Sequence, residues 1–210
     1  MAIADKTGGV FSLYLMRTDS PAVKTEFSSP RRMEELSRVT NGEVLRSKRA
    51  TWTLLETAMN HAFGISPSDV DLEKTENGKW ECDAFCFSLS HSGKYAAAAV
   101  SDLPVGVDIE EISAFEKKYP PHRRERIKSK ILSSNESRDE PLISLWTKKE
   151  SIYKCLGTDG FSPKDTDTSK FPTLSRTLFG EVFISLYRTS PGKVRIFTVN
   201  GGGITEVPFL

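Results

Sequence analysis

The sequence predicts an α+β fold built on largely antiparallel sheet. Two stretches, residues 43–63 and 142–156, carry helical periodicity. Short apolar runs with strand alternation come in neighbouring groups, at 84–90, 95–101 and 105–110, and again at 180–188 and 193–199. The order is then strand, helices, hairpin, strand, helix, hairpin, which favours an antiparallel arrangement over a regular parallel α/β one. The 210 residues suffice for a real core. No internal repeat is visible by identity, yet residues 1–103 and 104–210 read as two halves with similar element order.

The elements follow in chain order. Residues 8–15 are apolar and read as a strand. Ser29-Pro30-Arg31-Arg32 is a helix-start signal. Leu45, Trp52, Leu55, Met59 and Ala62 are spaced 7, 3, 4 and 3, as on one helix face, with Asn41 as cap and Gly64 as stop. Asn77-Gly78 signals a turn. Phe85, Phe87 and Leu89 alternate with smaller residues, and Ala96 to Ala99 imply close packing on both faces of the next strand. Residues 116–130 hold seven basic side chains against two acidic ones. The second strong helix stops at Gly157, residues 157–172 read as a polar loop, and Asn200 to Gly203 as a hairpin turn.

Composition narrows the classes. Hydrophobic residues are 38% and charged residues 27%, ordinary globular values that exclude collagen and extended disorder. Lys plus Arg is 29 against 28 for Asp plus Glu, so a strongly basic nucleic-acid binder is not expected. No apolar run is long enough for a membrane span, and residues 1–9 lack a signal-peptide core. Cys82, Cys86 and Cys155 are an odd count without zinc-ligand spacing, which reads as structural thiols in a reducing cytoplasm.

Three segments carry chemistry. In Gly106-Val107-Asp108-Ile109-Glu110, strand alternation sends Val107 and Ile109 to the core and the two carboxylates to the other, solvent side. Paired carboxylates repel unless a cation lies between them, and magnesium takes oxygen ligands. Gly106 permits close approach of a ligand or a neighbouring backbone. In Trp146-Thr147-Lys148-Lys149-Glu150-Ser151-Ile152-Tyr153-Lys154, Glu150 and Lys154 share a helix face. Alone, that pair is a routine surface feature; beside a carboxylate pair it offers a third ligand and a phosphate-binding charge. Phe87-Ser88-Leu89-Ser90-His91-Ser92 ends a strand in hydroxyls and an imidazole. A Ser-His-Asp hydrolase is excluded, because adjacent Ser90 and His91 point to opposite faces and no nucleophile elbow exists.

In this order the segments resemble the 4′-phosphopantetheinyl transferases, specifically the larger type that activates surfactin and other peptide synthetases. The family pattern is Gly-x-Asp-x-Glu, some forty residues, then an aromatic, Ser or Thr, x, Lys-Glu, three residues and Lys. Here Asp108 and Glu150 are 42 residues apart, Ser90-His91 stands upstream, and the region 157–162 resembles the loop after the lysine helix. Trp80 stands after Gly78-Lys79, where the family has proline.

The resemblance implies two similar α+β halves about a pseudo-two-fold axis, 1–103 for coenzyme A phosphate contacts and 104–210 for the catalytic motifs, with the active site in the cleft between them. It implies a magnesium-dependent transfer of phosphopantetheine from coenzyme A to a serine of an acyl or peptidyl carrier protein. Asp108, Glu110 and Glu150 would hold the metal, with Glu150 and Lys154 catalytic. Arg46, Lys48, Lys79, Ser90, His91 and Asp108 would bind the coenzyme A. The expected state is a cytoplasmic monomer without nucleic-acid or membrane partners, whose basic stretch 117–130 meets an acidic carrier. Two rivals remain: a magnesium-dependent phosphohydrolase using the same carboxylates, and a nucleic-acid module using the basic stretch.

Overall fold

The computed structural model describes residues 9–76, 78–157 and 160–208. Residues 1–8, Asn77 of the turn signal, and residues 158–159 of the glycine loop lie outside the described residues.

Strand β1 is Gly9–Arg17. Helix α1, Pro30–Ser37, starts where Ser29 Oγ accepts the Arg32 N–H and a proline opens the first turn. Helix α2, Gly42–Ala58, is capped by Asn41, which accepts from Glu43 and Val44. One π turn, Met59–Phe63, extends it to Gly64, left-handed at φ 66°. The helix face expected from the spacing holds at Trp52, Leu55 and Met59, which are buried; Ala62 lies exposed on the π turn, whose wider winding rotates it off that face.

Short strands β2 (Glu73–Lys74) and β3 (Trp80–Glu81) pair with each other. Then come β4 (Cys86–Ser92), β5 (Tyr95–Ser101) and β6 (Val105–Glu111). Helices α3 (Ile112–Lys118) and α4 (Pro121–Ile131) occupy the basic stretch, and α5 (Leu142–Leu156) ends at left-handed Gly157. Strands β7 (Thr173–Leu178), β8 (Val182–Arg188), β9 (Gly192–Asn200) and β10 (Gly203–Val207) complete the chain.

The main sheet runs β10-β9-β1-β5-β4, and a second runs β6-β8-β7. All pairings are antiparallel except β1 with β9. One succession occurs twice: β1, α2, β4, β5 and β6, α5, β7, β8 are each strand, long helix, strand, strand, with the last strand paired between the other two.

Four layers result. Tyr14, Met16, Ala96 and Ala98 pack with Trp52, Leu55 and Met59 of α2 on one face of the main sheet. Leu13, Leu15, Ala97 and Ala99 pack on its other face against Val105, Val107, Ile109, Ile184 and Leu186 of the second sheet. The alanine run is thus buried on both faces, and its small side chains let the layers close up. Helix α5 covers the far side of the second sheet, with Ile152 and Cys155 against Tyr187.

Candidate functional site

Gly106 explains how close α5 comes to β6. A Cβ at that position would lie 1.9 Å from the Ser151 carbonyl oxygen and 2.6 Å from the Cys155 amide. The glycine therefore serves backbone approach, and it lays the α5 motif directly over the β6 motif. This corrects one expectation. Val107 and Ile109 do face the core, but Asp108 does not face solvent: it is 4% exposed, because α5 covers that side of the strand.

Asp108 sits at the centre of the site. Its Oδ1 accepts from Lys154 Nζ at 2.6 Å and from Ser90 Oγ at 2.8 Å. Its Oδ2 is buried without a hydrogen-bond partner. Lys154 also donates to Ser90 Oγ at 3.0 Å and lies 3.7 Å from Glu150. Glu110 accepts from Ser92 Oγ at 2.5 Å. Serines of β4 thus meet carboxylates of β6 under a lysine of α5.

The electrostatics show a shortage of positive charge. Burial raises the Glu150 pKa above the ordinary carboxylate value, and the Asp108 charge adds to it against the opposing pull of Lys154. Burial likewise raises Glu110, outweighing its Ser92 hydrogen bond, with Asp108 adding to the rise. Burial opposes the Lys154 charge, yet Asp108 and Glu150 outweigh it and raise that pKa. His91 projects to the solvent rim; desolvation by the cleft walls lowers its pKa, and the charges of Lys154 and Lys48 lower it further.

A cavity of about 500 Å³ opens beside these groups, lined from one side by Lys79, Trp80, Ser88 and Leu89 and from the other by Tyr153 and Lys154. Its volume lies in the range of small-molecule sites.

Residues 104–195 match the family model of the 4′-phosphopantetheinyl transferase superfamily. That span contains the β6 motif and the α5 motif whole. The chain is 32% identical over 114 residues to a 4′-phosphopantetheinyl transferase, gsp, of Aneurinibacillus migulanus, covering 52% of this chain and 48% of that one. It is 32% identical over 113 residues to a 4′-phosphopantetheinyl transferase, psf-1, of Bacillus pumilus, covering 50% and 47%. Its relatives are 4′-phosphopantetheinyl transferases. These two alignments span about half the length of those curated relatives. A longer alignment, 22% identical over 199 residues, covers 87% of this chain and 88% of the 4′-phosphopantetheinyl transferase Sfp of Bacillus subtilis (strain 168).

Set beside that kinship, the sequence-derived residues divide. Asp108, Glu150, Lys154 and Ser90 are in direct contact or ion-paired, with Glu110 near enough for the Glu150 charge to add to its raised pKa. Lys79 lines the cavity, 2.9 Å from Glu81. Lys48 is paired with Glu35 at 3.2 Å and close enough to act on His91. Arg46 is exposed on the second turn of α2.

Sequence reasoning missed Arg32 and Lys118. Arg32 is buried over the Trp52 ring at 4.7 Å, pairs with Glu35, and adds its charge to the set acting on His91. Lys118, at the end of α3, lies 5.0 Å over the Tyr119 ring and favours the charged forms of Glu110 and Glu150. Neither sits in a spaced motif, so only the packing of α1 on α2 and of α3 on β6 reveals them.

Magnesium fits the chemistry of this donor set: three carboxylates, one with a buried oxygen lacking any donor, and two with pKa values raised by burial and further by the Asp108 charge. Among the described residues no three His, Cys, Asp or Glu side chains converge at metal-binding spacing.

In the basic stretch Ile127, Ile131 and Leu132 pack with Phe115, Leu142 and Leu145 between α4 and α5, so they offer no apolar docking centre. Lys128 is buried and donates to the Arg138 carbonyl, while Arg124 donates to the Tyr119 carbonyl. The exposed charges are Lys117, Lys118, Arg123, Arg126 and Lys130. The three cysteines are free thiols. Among the described residues no helix is long and apolar enough to cross a membrane.

Proposed function

We propose that the chain transfers the 4′-phosphopantetheine group of coenzyme A to a serine hydroxyl of an acyl or peptidyl carrier protein, releasing adenosine 3′,5′-bisphosphate. The observation that carries the reading is Lys154 joined to Asp108 and Glu150 beside an unpartnered Asp108 oxygen, at the mouth of a cavity of about 500 Å³. Kinship of residues 104–195 supports it.

Phosphoryl transfer asks for positioning and charge stabilisation more than covalent help. Asp108, Glu110 and Glu150 would hold magnesium, which would supply neutralisation of the diphosphate charge. Glu150, with its raised pKa, accepts the proton of the incoming serine. Lys154 stabilises charge on the leaving phosphate. Lys48 and His91, with Arg32 behind them, form the positive rim for phosphates, joined by Lys79 from the cavity wall and Arg46 from α2. The twice-used succession of strand, helix and two strands supports two halves about a pseudo-two-fold axis, 1–103 and 104–210, with the substrate between them, while β9 and β10 of the second span cross over to extend the first half's sheet beside β1. All these residues come from one chain and the cysteines are free, which supports a cytoplasmic monomer.

The exposed Lys117, Arg123, Arg126 and Lys130, on α3 and on the α4 helix that packs against α5, suit an acidic carrier surface. Mass spectrometry of apo-carrier proteins incubated with the chain, coenzyme A and magnesium tests the reading. A mass gain of one phosphopantetheine group on the carrier is the expected result. Free phosphopantetheine without carrier labelling would favour a phosphohydrolase instead.

A further inference from the structure

Three serines of β4, at alternate positions, face the other sheet. Strand alternation sends Phe85, Phe87 and Leu89 into the α2 core and leaves Ser88, Ser90 and Ser92 on the opposite side. There they meet β6, which is an edge strand of the second sheet, as β4 is of the main one. An edge carries backbone N–H groups without ladder partners, and buried ones must be satisfied. Here hydroxyls satisfy them. Ser88 Oγ accepts the Val107 N–H at 3.0 Å, and Ser90 Oγ accepts the Ile109 N–H at 3.3 Å. Ser92 Oγ donates to Glu110 at 2.5 Å. Each step of two residues on β4 matches a step along β6.

The Ser90 hydroxyl is fully hydrogen-bonded within the fold. A hydroxyl has one proton and two lone pairs. Its proton goes to Asp108, and its lone pairs take the Ile109 N–H and Lys154 Nζ. We infer that Ser88, Ser90 and Ser92 form a hydroxyl ladder that joins the two sheets and positions Asp108 and Glu110, so that Ser90 is a positioning residue. Side-chain hydroxyls replace the backbone ladder that the two edges do not share. They fix the carboxylates relative to β4 with the register of a strand. The effect on turnover rests on the transferase reading; the ladder itself does not.

Three variants test it on the full-length chain. Ser88→Ala removes the acceptor of one named amide. Hydrogen exchange followed by NMR should show the Val107 amide exchanging about tenfold faster, the size expected for one lost hydrogen bond, with the β5 amides unchanged. Ser92→Ala should raise the magnesium concentration giving half-maximal transfer by about tenfold with kcat within about twofold, and Ser92→Thr, which keeps the hydroxyl, should restore it. Unchanged Val107 exchange in Ser88→Ala would overturn the ladder. A Ser92→Thr variant as impaired as Ser92→Ala, or a Ser92→Ala variant with unaltered magnesium dependence, would overturn the positioning role. If the wild-type chain labels no carrier, the exchange measurement still decides the ladder and the failure belongs to the transferase reading alone.

Discussion

Lys149 and Lys154 lie on the same helix and each reaches a buried carboxylate, but their surroundings are electrically opposite. Lys149 is fully buried and matched one to one with Glu136 at 2.7 Å, whose side chain is 2% exposed. Ser133 Oγ at 3.2 Å and the Thr166 carbonyl take its other protons. Glu136 in turn accepts the backbone N–H groups of Ser133 and Thr168. Burial lowers the Lys149 pKa; burial would raise Glu136, but Lys149 and the two amides outweigh it and lower that carboxyl. Every donor and acceptor there is matched, and the pair ties α5 to the segments on either side. Lys154 is one cation facing Asp108 and Glu150, with Glu110 nearby and one Asp108 oxygen unmatched. A closed pair is a structural tie; an unbalanced cluster has unspent attraction for a further ligand.

The largest expected contrast is in turnover. Glu150→Gln keeps the side-chain shape and loses the charge, so carrier labelling should fall by about 10²–10⁴-fold. Its thermal midpoint should stay close to wild type, because the carboxylate is half-buried and 3.7 Å from its cation. Asp108→Asn should show a comparable loss of labelling. Asp108→Ala is the harsher choice, since it leaves Lys154 without its nearest partner in a covered position. Wild-type labelling by Glu150→Gln would end the distinction between the two lysines.

Breaking the closed pair should act on stability instead. Glu136→Gln leaves the Lys149 charge buried and unpaired, at a cost of about 3–5 kcal/mol in urea unfolding. Replacing both partners, Lys149→Met with Glu136→Leu, should recover much of that loss. Equal instability of the double variant would show that the contacts to Ser133 and Thr166, not charge pairing, hold α5.

Glu35 offers the reverse arrangement, one carboxylate among three cations. Burial works against its charge, but Lys74, Arg32 and Lys48 outweigh it and draw the pKa down to about 2. A folded-state value below the unfolded one means the contribution is present above about pH 4.5 and is lost as pH falls toward 2. Acid titration should therefore show about 2 kcal/mol of stability disappearing in that window, and Glu35→Gln should flatten it.

The smallest effect belongs to the exposed face of α4. Reversing Arg123, Arg126 and Lys130 to Glu should slow carrier association and flatten its salt dependence, because exposed charges are screened within about 10 Å at 0.1 M. Coenzyme A affinity should stay within about twofold, since none of the three lines the cavity. Equal losses for both ligands would move the basic face into the cofactor site.

Local signals settled much of this molecule. Asn41, Ser29, Gly64 and Gly157 bound the helices where capping chemistry requires. The alternation in β4, β5 and β6 assigns faces correctly, and the two motifs that carry the family resemblance hold Asp108, Glu110, Glu150 and Lys154, which the fold brings together. Strand β7 is not legible in the sequence because Thr173–Leu178 is short and half-polar, with only Leu178 buried, so it reads as loop until β8 pairs with it. What sequence could not decide was what covers each face. Periodicity says that Asp108 points away from Val107; it cannot say that α5 lies there, nor that Ser90 spends its whole hydroxyl on Asp108, Ile109 and Lys154. The same holds for Ile127, Ile131 and Leu132, whose apolar side is claimed by α5. Periodicity is a property of neighbours along the chain, whereas burial and pKa depend on elements 40 residues or more apart in sequence, as Asp108 and Lys154 are, and only the closed fold brings those together.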